Sequence, residues 1–491
     1  MSNSNTDINK VGWIFDNTYS KLPNDLLAKQ KPTPVKSPKI VIFNENLSKD
    51  LDLDFTNISE EKLSQMFSGN LLPLGSDSIA QAYAGHQFGH FTMLGDGRAI
   101  LIGEHISNNN KRYDIQFKGS GKTPFSRGGD GRAALGPMLR EYIISEAMHG
   151  LGISTTRSLA VVKTGENVMR ETYLPGAVLT RIASSHIRVG TFQYIASTQN
   201  QNNLKVMLDY VINRHYPNVK NSKNHALGLL EALMDVQINL VVDWIRTGFI
   251  HGVMNTDNMS ISGETIDYGP CAFMDDYNPQ TVFSSIDQKG RYAFLNQPKI
   301  IKWNLARFAE CIITLIDSDK DKAIEIATET INKFEDLYEK KWLNMMRDKL
   351  GLFGEDKNDQ ALIIDLLTWM NDNKADYTNT FCFLMNEKLS IDEKYKDKNF
   401  LIWKKRWKDR LKLYNNNKDK FFQLMRSVNP LVIPRNHKVE EALEAANNDD
   451  FNPIKNLIDV LQDPYKDNKK NIGYQSPSPD TITKYQTFCG T

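Results

Sequence analysis

The chain has 491 residues, 40% of them apolar and 24% charged, with 60 basic and 59 acidic side chains giving a formal net charge of +1. That length accommodates two or three domains, or one enlarged domain with extensions, and the balanced charge supplies no field to gather nucleic acid or an anionic membrane. No run approaches the ~18 uninterrupted apolar residues of a membrane-spanning helix, and Met1 to Lys10 has neither a signal-peptide core nor an Arg-rich amphipathic pattern, so a cytoplasmic protein without nucleic-acid or membrane partners is expected.

Residues 1–80 combine a Trp13/Phe15/Tyr19 cluster, a Pro-rich run (Lys31-Pro32-Thr33-Pro34) and one helix near 59–68, and read as an extension packed on a core. Within 81–182, from about 88 onward, the apolar period becomes two. Short strands are expected at Phe91–Leu94, Arg98–His105 and Tyr113–Lys118, the first pair joined by Gly95-Asp96-Gly97, a turn whose positive φ suits Asp-Gly. Pro137 to His149 reads as a helix, with Pro137 at its first position and Gly150 as its C-terminal cap. Strands resume at Ser158–Lys163, Val168–Thr172 and Ala177–Ile182.

From 183 to 350 the chain turns helical. Leu227–Thr247 carries Leu229, Leu230, Leu233, Val236, Leu240, Val241, Trp244 and Ile245 at helical spacing, so a long buried helix is expected there. Residues 351–465 continue as a helical extension, and Trp303, Leu315, Ile324, Ile331, Leu337, Trp342 and Met345 are expected to face inward across the helical part. The last segment, 466–491, is polar and expected to be mobile. Four cysteines exclude a disulfide framework. Cys271, Cys311 and Cys382 sit among apolar residues and read as buried hydrophobes, whereas Cys489 stands on the tail behind Ser476-Pro477-Ser478-Pro479-Asp480 and is expected to be exposed and reactive.

Lys118 ends an alternating strand, from which it can reach a cleft and phosphate oxygens; a solvated surface lysine is the alternative. Glu141, 23 residues on, shares a helix face with Ile144 and Met148 and needs a cation there. Glu146 competes for that role, and periodicity does not choose between them. Gly95-Asp96-Gly97-Arg98 could close over phosphates, although Ile100 stands where a full G-x-G-x-x-G needs glycine. Ser126-Arg127-Gly128-Gly129-Asp130-Gly131-Arg132 concentrates backbone N–H groups and two guanidinia, a composition suited to an anion or to a surface turn. Arg181 and Arg188 lie seven apart and would face one way if the segment were helical. Gly121-Lys122-Thr123 ends like a Walker A loop, but Gln116 occupies its first glycine position. Neither zinc-type His/Cys spacing nor a G-x-S-x-G elbow is present.

The most specific stretch is Ile250-His251-Gly252-Val253-Met254-Asn255-Thr256-Asp257-Asn258-Met259, followed by Asp267-Tyr268-Gly269. It is similar to the catalytic and metal loops of protein kinases, H-R-D-x-x-x-x-N and D-F-G. Counting from His251, Asn258 falls on the metal-type Asn, but Val253 occupies the base position and Asp257 supplies a carboxylate elsewhere. His251 reads as a brace for the loop. The parts that hold metal–ATP are present without the usual phosphoryl-transfer base.

Phe117-Lys118-Gly119-Ser120-Gly121-Lys122-Thr123-Pro124-Phe125-Ser126-Arg127, Asp130-Gly131-Arg132-Ala133, Ser145-Glu146-Ala147-Met148, Ser185-His186-Ile187-Arg188-Val189-Gly190-Thr191-Phe192, the His251–Met259 loop and Ile433-Pro434-Arg435-Asn436-His437 together resemble the selenoprotein O family of protein adenylyltransferases, from about Trp13 to the C-terminus. The resemblance implies an α+β, protein kinase-like two-lobed fold, with a mixed sheet-and-helix lobe, a helical lobe and helical extensions. It implies transfer of AMP from ATP bound in inverted orientation, or of UMP from UTP, to Ser, Thr or Tyr hydroxyls of proteins, with Mg²⁺ or Mn²⁺. By motif, Lys118 would contact phosphates and pair with Glu141. Gly95, Gly97, Arg98, Asp130, Gly131, Arg181 and Arg188 would line the nucleotide site. Asn258 and Asp267 would hold the metal, and Asp257 would take the acceptor proton. Cys489 occupies the place of the family's C-terminal selenocysteine and becomes a redox candidate, with Cys271 as its expected partner, although the Cys-Gly-Thr ending departs from the family's Cys-Ser-Ser. A monomer is expected. The rival readings are ordinary kinase-type phosphoryl transfer and a nucleotide-binding pseudokinase scaffold.

Overall fold

The structure is a computed structural model and describes residues 7–386, 392–413, 418–479 and 485–488. Its strands in chain order are β1 (Leu27–Lys29), β2 (Lys39–Phe43), β3 (Ile79–Gln81), β4 (Ala84–Gln87), β5 (His90–Met93), β6 (Ala99–Ile106), β7 (Arg112–Lys118), β8 (Ala133–Ala134), β9 (Arg157–Met169) and β10 (Tyr173–Ala183). An antiparallel sheet runs in the order β1-β3-β6-β7-β10-β9-β2, with β8 alongside β10. The helices that position the site are α1 (Glu45–Asp50), α2 (Glu60–Phe67), α3 (Leu135–Gly150), α4 (Val189–Ser197), α5 (Gln201–His215), α6 (His225–Thr247) and α7 (Gln297–Ile316).

The period-two pattern sorts the sheet into two buried faces. Ile100, Ile102, Ile115, Phe117, Val162, Val178 and Ile182 pack against Leu47, Leu51, Phe55, Met66 and Phe67 of the N-terminal segment. The alternate residues Leu101, Val161, Ala177 and Leu179 pack toward Leu139, Tyr142 and Ile143 of α3. With both sides covered, apolar residues fill successive positions of the central strands rather than every second one. The same parity puts Gln116, Lys118 and Arg181 on the α3 side, and the register sets Arg181 opposite Gln116. The sheet face that meets α3 therefore carries its charges at the end of β7 and near the end of β10.

Beyond the sheet the chain is mixed with many helices, which continue through Lys320–Asn332, Phe334–Lys349, Asp359–Asp372, Tyr377–Met385, Lys398–Leu411, Lys418–Val428, Asn436–Asn447 and Asn452–Leu461. The expected long helix is α6. Asn224 caps its start through Oδ1 to Leu227 N at 2.9 Å, and Gly248, at φ 76°, ends it in the left-handed region. By length and composition alone α6 could cross a membrane, but 61% of its most apolar window is buried by the rest of the protein.

Four expectations are corrected. Phe91–Met93 does not pair with β6 across Gly95-Asp96-Gly97; β5 pairs with β4 in a separate hairpin, and Asp96 is buried instead of turning at the surface. The strand expected at 158–163 runs on to Met169 as β9, with a register shift around Gly165 at φ 75°, and residues 170–172 of the second expected strand turn into β10. Helix α3 runs through Gly150, whose missing side chain admits the Leu461 carbonyl, and Gly152, at φ 72°, takes the left-handed turn. Ile324 is 45% exposed, because Ala323 and Ala327 hold the inward face of its helix.

The tail differs as well. Ser285 N donates to Thr487 O at 2.9 Å, Thr487 N to Phe283 O at 2.8 Å, and Thr487 Oγ1 to Pro270 O at 2.7 Å, so residues 485–488 are seated on the body rather than free. Cys489 lies outside the described residues. Cys271, Cys311 and Cys382 are buried as expected.

Candidate functional site

The two loops bearing the kinase-like motif leave from one short ladder. Phe249 pairs with Phe273 and Ile250 with Ala272, which fixes both ends of the segment between them. His251 is buried and braces this segment, its Nε2 lying 3.0 Å from the Ile266 carbonyl oxygen. Further support comes from the Ile433–His437 motif. Asn436 exchanges hydrogen bonds with the Phe273 backbone, and Arg435 Nη1 meets Asp275 at 2.5 Å and Asp376 at 2.7 Å.

Between these loops and the sheet opens a cavity of about 540 Å³. Gly95, Gly97, Arg98, Lys118, Asp130, Gly131, Arg181, Arg188, Asp257 and Asp267, drawn from positions spread over more than 170 residues, all line it. Seven cationic side chains (Arg98, Lys118, Arg127, Arg132, Arg170, Arg181 and Arg188) stand there against the carboxylates of Asp96, Asp130, Asp257 and Asp267. A concave, cation-rich wall of this kind suits a polyphosphate anion.

At the cavity floor Lys118 Nζ sits 2.6 Å from Glu141 Oε2 and 2.6 Å from Asp267 Oδ1. Arg181 donates from Nε to Glu141 Oε1 at 2.7 Å and from Nη1 to Gln116 Oε1 at 3.3 Å, and its Nη2 lies 3.3 Å from Asp267. Glu141 is thus the partner of Lys118. Glu146 serves Arg157 and Asn44 on the other side of α3. Burial pushes the Glu141 carboxyl up, but Arg181 and Lys118 outweigh it and hold it below the ordinary value. Asp267 behaves alike: burial raises it, Lys118 and Arg181 hold it well below the carboxylate range, and it is ionised. Its backbone is left-handed at φ 72°, and about 40% of the side chain stays open to the cavity.

Asp257 is different in kind. It sits on the single turn Thr256–Asn258, is 8% exposed, and its Oδ1 has no hydrogen-bond partner. Burial, only partly offset by hydrogen bonding and Arg188, raises its carboxyl to about 6. A nearly unpartnered carboxylate with that value accepts protons near neutrality. Val253, in the position kinases give to their base, is buried.

Arg181 and Arg188 share the cavity, but not through a helix: Arg181 is on β10, and Arg188 is the extended N-cap residue of α4. Arg188 stacks over the Tyr83 ring at 4.2 Å and lies 3.7 Å from Asp96. Gly131, at φ 71°, is required where its loop crosses Gly121, since a Cβ would come within 2.2 Å of that backbone. Asp130 is held by Arg170 at 2.8 Å.

Asn258 does not form part of the cavity wall. Its Nδ2 donates to Val253 O at 3.0 Å, which leaves Oδ1 as its ligand atom. Among the described residues no cluster of three or more His, Cys, Asp or Glu is placed to hold a metal. Several cavity residues escaped the sequence reading: Tyr83, Gln87, Asp96, Phe125, Met169 and Arg170. From the sequence Asp96 reads only as part of the Gly95–Arg98 turn, Tyr83 carries no reading, and nothing local marks either as facing Arg188.

A cavity so lined, with one acid ionised on its floor and another poised to take a proton, defines an enzyme that handles nucleotide phosphates. Comparison with known proteins agrees. The family model for protein adenylyltransferase SelO matches residues 11–462. The chain is 64% identical over 481 residues, 98% of its own length and 100% of the relative's, to protein nucleotidyltransferase YdiU of Pelagibacter ubique. It is 56% identical over 482 residues to the protein of that name in Nitrosococcus oceani (98% of each chain), and 55% over 481 residues to that of Alcanivorax borkumensis (98% and 99%). The chain belongs to the SelO family and is a nucleotidyltransferase enzyme.

Proposed function

We infer that this enzyme transfers AMP from ATP, or UMP from UTP, to Ser, Thr or Tyr hydroxyls of other proteins, releasing pyrophosphate. One observation carries the reading: Asp257, not residue 253, brings a carboxylate without an ion-pair partner to the cavity. The names of the relatives support nucleotidyl transfer to protein. In this reading the acceptor hydroxyl attacks the α-phosphorus and passes its proton to the Asp257 carboxylate. The bond from that phosphorus to the bridging oxygen breaks, and pyrophosphate leaves. Lys118, Arg181 and Arg188 bind the leaving phosphates and stabilise their growing charge, usually the largest share of such catalysis. General-base help contributes a further ~10²–10⁴-fold.

Asp267, ionised and half-open, and Asn258 Oδ1 are hard oxygen donors of the kind a divalent cation takes and would hold it. When bound, Mg²⁺ or Mn²⁺ would neutralise phosphate charge. The break between Ala183, where the sheet ends, and Val189, where helices begin, supports a kinase-like division into lobes at 81–182 and 183–350, flanked by 1–80, 351–465 and 466–491. Thr487, seated on Pro270 beside Cys271, supports redox coupling between Cys489 and that loop. Equal mobility with and without reductant, and unchanged activity of Cys489→Ser, would remove the coupling.

The deciding experiment uses ATP labelled on the α- or the γ-phosphate with a hydroxyl-bearing protein. Retention of only the α-label on protein supports adenylylation. Retention of only the γ-label establishes kinase chemistry, and binding without either label or pyrophosphate establishes a scaffold.

A further inference from the structure

The catalytic loop is roofed by a segment that no step above employs. β4 and β5 turn at Phe88 and Gly89, whose φ values of 50° and 91° make the left-handed pair of a two-residue hairpin. The register sets Gln87 opposite His90 and Gly85 opposite Thr92. The pair flanking such a turn exchanges both hydrogen bonds, and the pattern alternates from there. The backbone groups of His86 therefore point outward from β4, and those of Phe91 and Met93 outward from β5.

The β4 side is occupied. His86 N donates to Thr256 Oγ1 at 2.7 Å and Phe88 N to Asn255 Oδ1 at 3.0 Å. Gly85 lies so near Asp257 that a Cβ there would stand 2.1 Å from Oδ1. The β5 side is the opposite case. It is the free edge of a two-stranded sheet among the described residues, and Phe91 and Met93 are each 47% exposed. Uncovered apolar edge strands are sites where another chain adds. Beside this edge the His86 ring meets Phe91 and Trp303, both at 5.4 Å, and the Arg291 guanidinium covers Trp303 at 4.8 Å. Arg291 meets the Tyr292 hydroxyl, its Nε has no hydrogen-bond partner, and among the described residues no carboxylate forms an ion pair with it, so the ledge ends in a cation without a counter-ion.

The geometry points to β5 as the docking edge for the acceptor protein, which adds an extended segment as a third strand, with an apolar side chain on Phe91 and Met93 and an acidic one toward Arg291. This deepens the proposed adenylyl transfer and rests on it for the identity of the guest. Main-chain pairing tolerates many sequences and takes its specificity from alternate side chains, which suits an enzyme acting on more than one hydroxyl. Strands lie about 4.8 Å apart, so the docked strand is about 10 Å from β4, the strand that touches Asp257. At roughly 3.3 Å per residue, the modified hydroxyl therefore lies at least three residues outside the docked stretch.

The test uses the full chain and fluorescent 14-residue peptides: an apolar–acidic stretch with one serine four residues away, a version with Lys for the acidic residue, and a version N-methylated at alternate stretch residues. Anisotropy reads binding, and α-label transfer reads turnover. The acidic peptide is expected to bind at least tenfold tighter than the Lys peptide, Arg291→Glu to invert that order, and Met93→Pro to weaken both peptides at least tenfold while nucleotide binding stays unchanged. N-methylation, which leaves the enzyme untouched, is expected to abolish binding. Absent or equal binding of the three peptides overturns the docking edge. A dimer in sedimentation that Met93→Pro dissolves overturns the acceptor as occupant in favour of a second copy. Peptide binding with γ-label transfer leaves the edge standing and removes the adenylyl reading, whereas α-label transfer indifferent to the edge variants does the reverse.

Discussion

Asp257→Asn separates chemistry from stability because the two respond in opposite directions. In the folded protein this carboxyl titrates near 6 against an ordinary 3.8, with burial as the main cause. A raised folded value means that the folded state holds the proton more tightly than the unfolded chain does. Asp257 is therefore harmless to stability below pH 4, becomes a liability as pH rises from 3.8 to about 6, and is a full liability above that. At 1.36 kcal/mol per pH unit the liability above pH 6 is roughly 3 kcal/mol. Asparagine keeps the shape and removes the charge, so Asp257→Asn should raise the urea midpoint at pH 8, by an amount that shrinks toward pH 4. Its kcat/KM should fall ~10²–10⁴-fold, and the inflection near pH 6 in the free-enzyme profile should vanish. Urea titrations at pH 4, 6 and 8, paired with α-label transfer rates over the same range, check both halves. A variant destabilised at pH 8, or one that keeps the inflection, would refute the assignment of that value to a proton-accepting Asp257.

Glu141→Gln takes from Lys118 and Arg181 one of their two shared anions and leaves Asp267, and removing one partner of a buried ion pair costs about 3–5 kcal/mol. The urea midpoint should fall and the nucleotide KM rise, while Glu146→Gln, which disturbs Arg157, Asn44 and the Ser158 backbone, should leave the nucleotide KM unchanged. In Gly131→Ala the Cβ meets the Gly121 backbone from a left-handed φ, so nucleotide affinity in a fluorescent-analogue titration should drop at least tenfold with circular dichroism unaltered. Arg435→Leu strands the Asp376 carboxyl, which burial already raises. Stability should fall by about 3–5 kcal/mol at pH 8, and by less at pH 5, where protonation relieves the charge; an equal loss at both values would show that packing, not the ion pair, matters there.

What the sequence exposed was what spacing can encode. The strand parity that puts Gln116 and Lys118 on one face, the helix that follows, and the His251–Asp267 loop are local patterns, and they place the floor of the cavity. The choice between Glu141 and Glu146 was not local: both are buried on α3, and partners 23 and 11 residues away, Lys118 and Arg157, decide which serves the site. Asp-Gly between two apolar runs mimics a hairpin turn, yet Asp96 is drawn inward because Arg188, 92 residues later, needs a counter-charge. The tail looked mobile from composition, but backbone pairing of Thr487 with Phe283 and Ser285, its hydroxyl on the Pro270 carbonyl, and Tyr485 between Arg140 and Glu440 hold it.

These non-local choices share a physical origin. Each buried charge at the floor has an opposite one supplied by a distant segment: Lys118 from β7, Glu141 from α3, Arg181 from β10 and Asp267 from the loop between Ile250 and Ala272. No subset is stable alone, since a carboxylate or guanidinium buried without its partner costs several kcal/mol. The network therefore forms only when sheet and helical body close together, and that same closure brings cations to where phosphate must bind. Asp257, left without a hydrogen bond on Oδ1, is the exception to this mutual satisfaction, and an unsatisfied, proton-hungry carboxylate is what a hydroxyl acceptor requires.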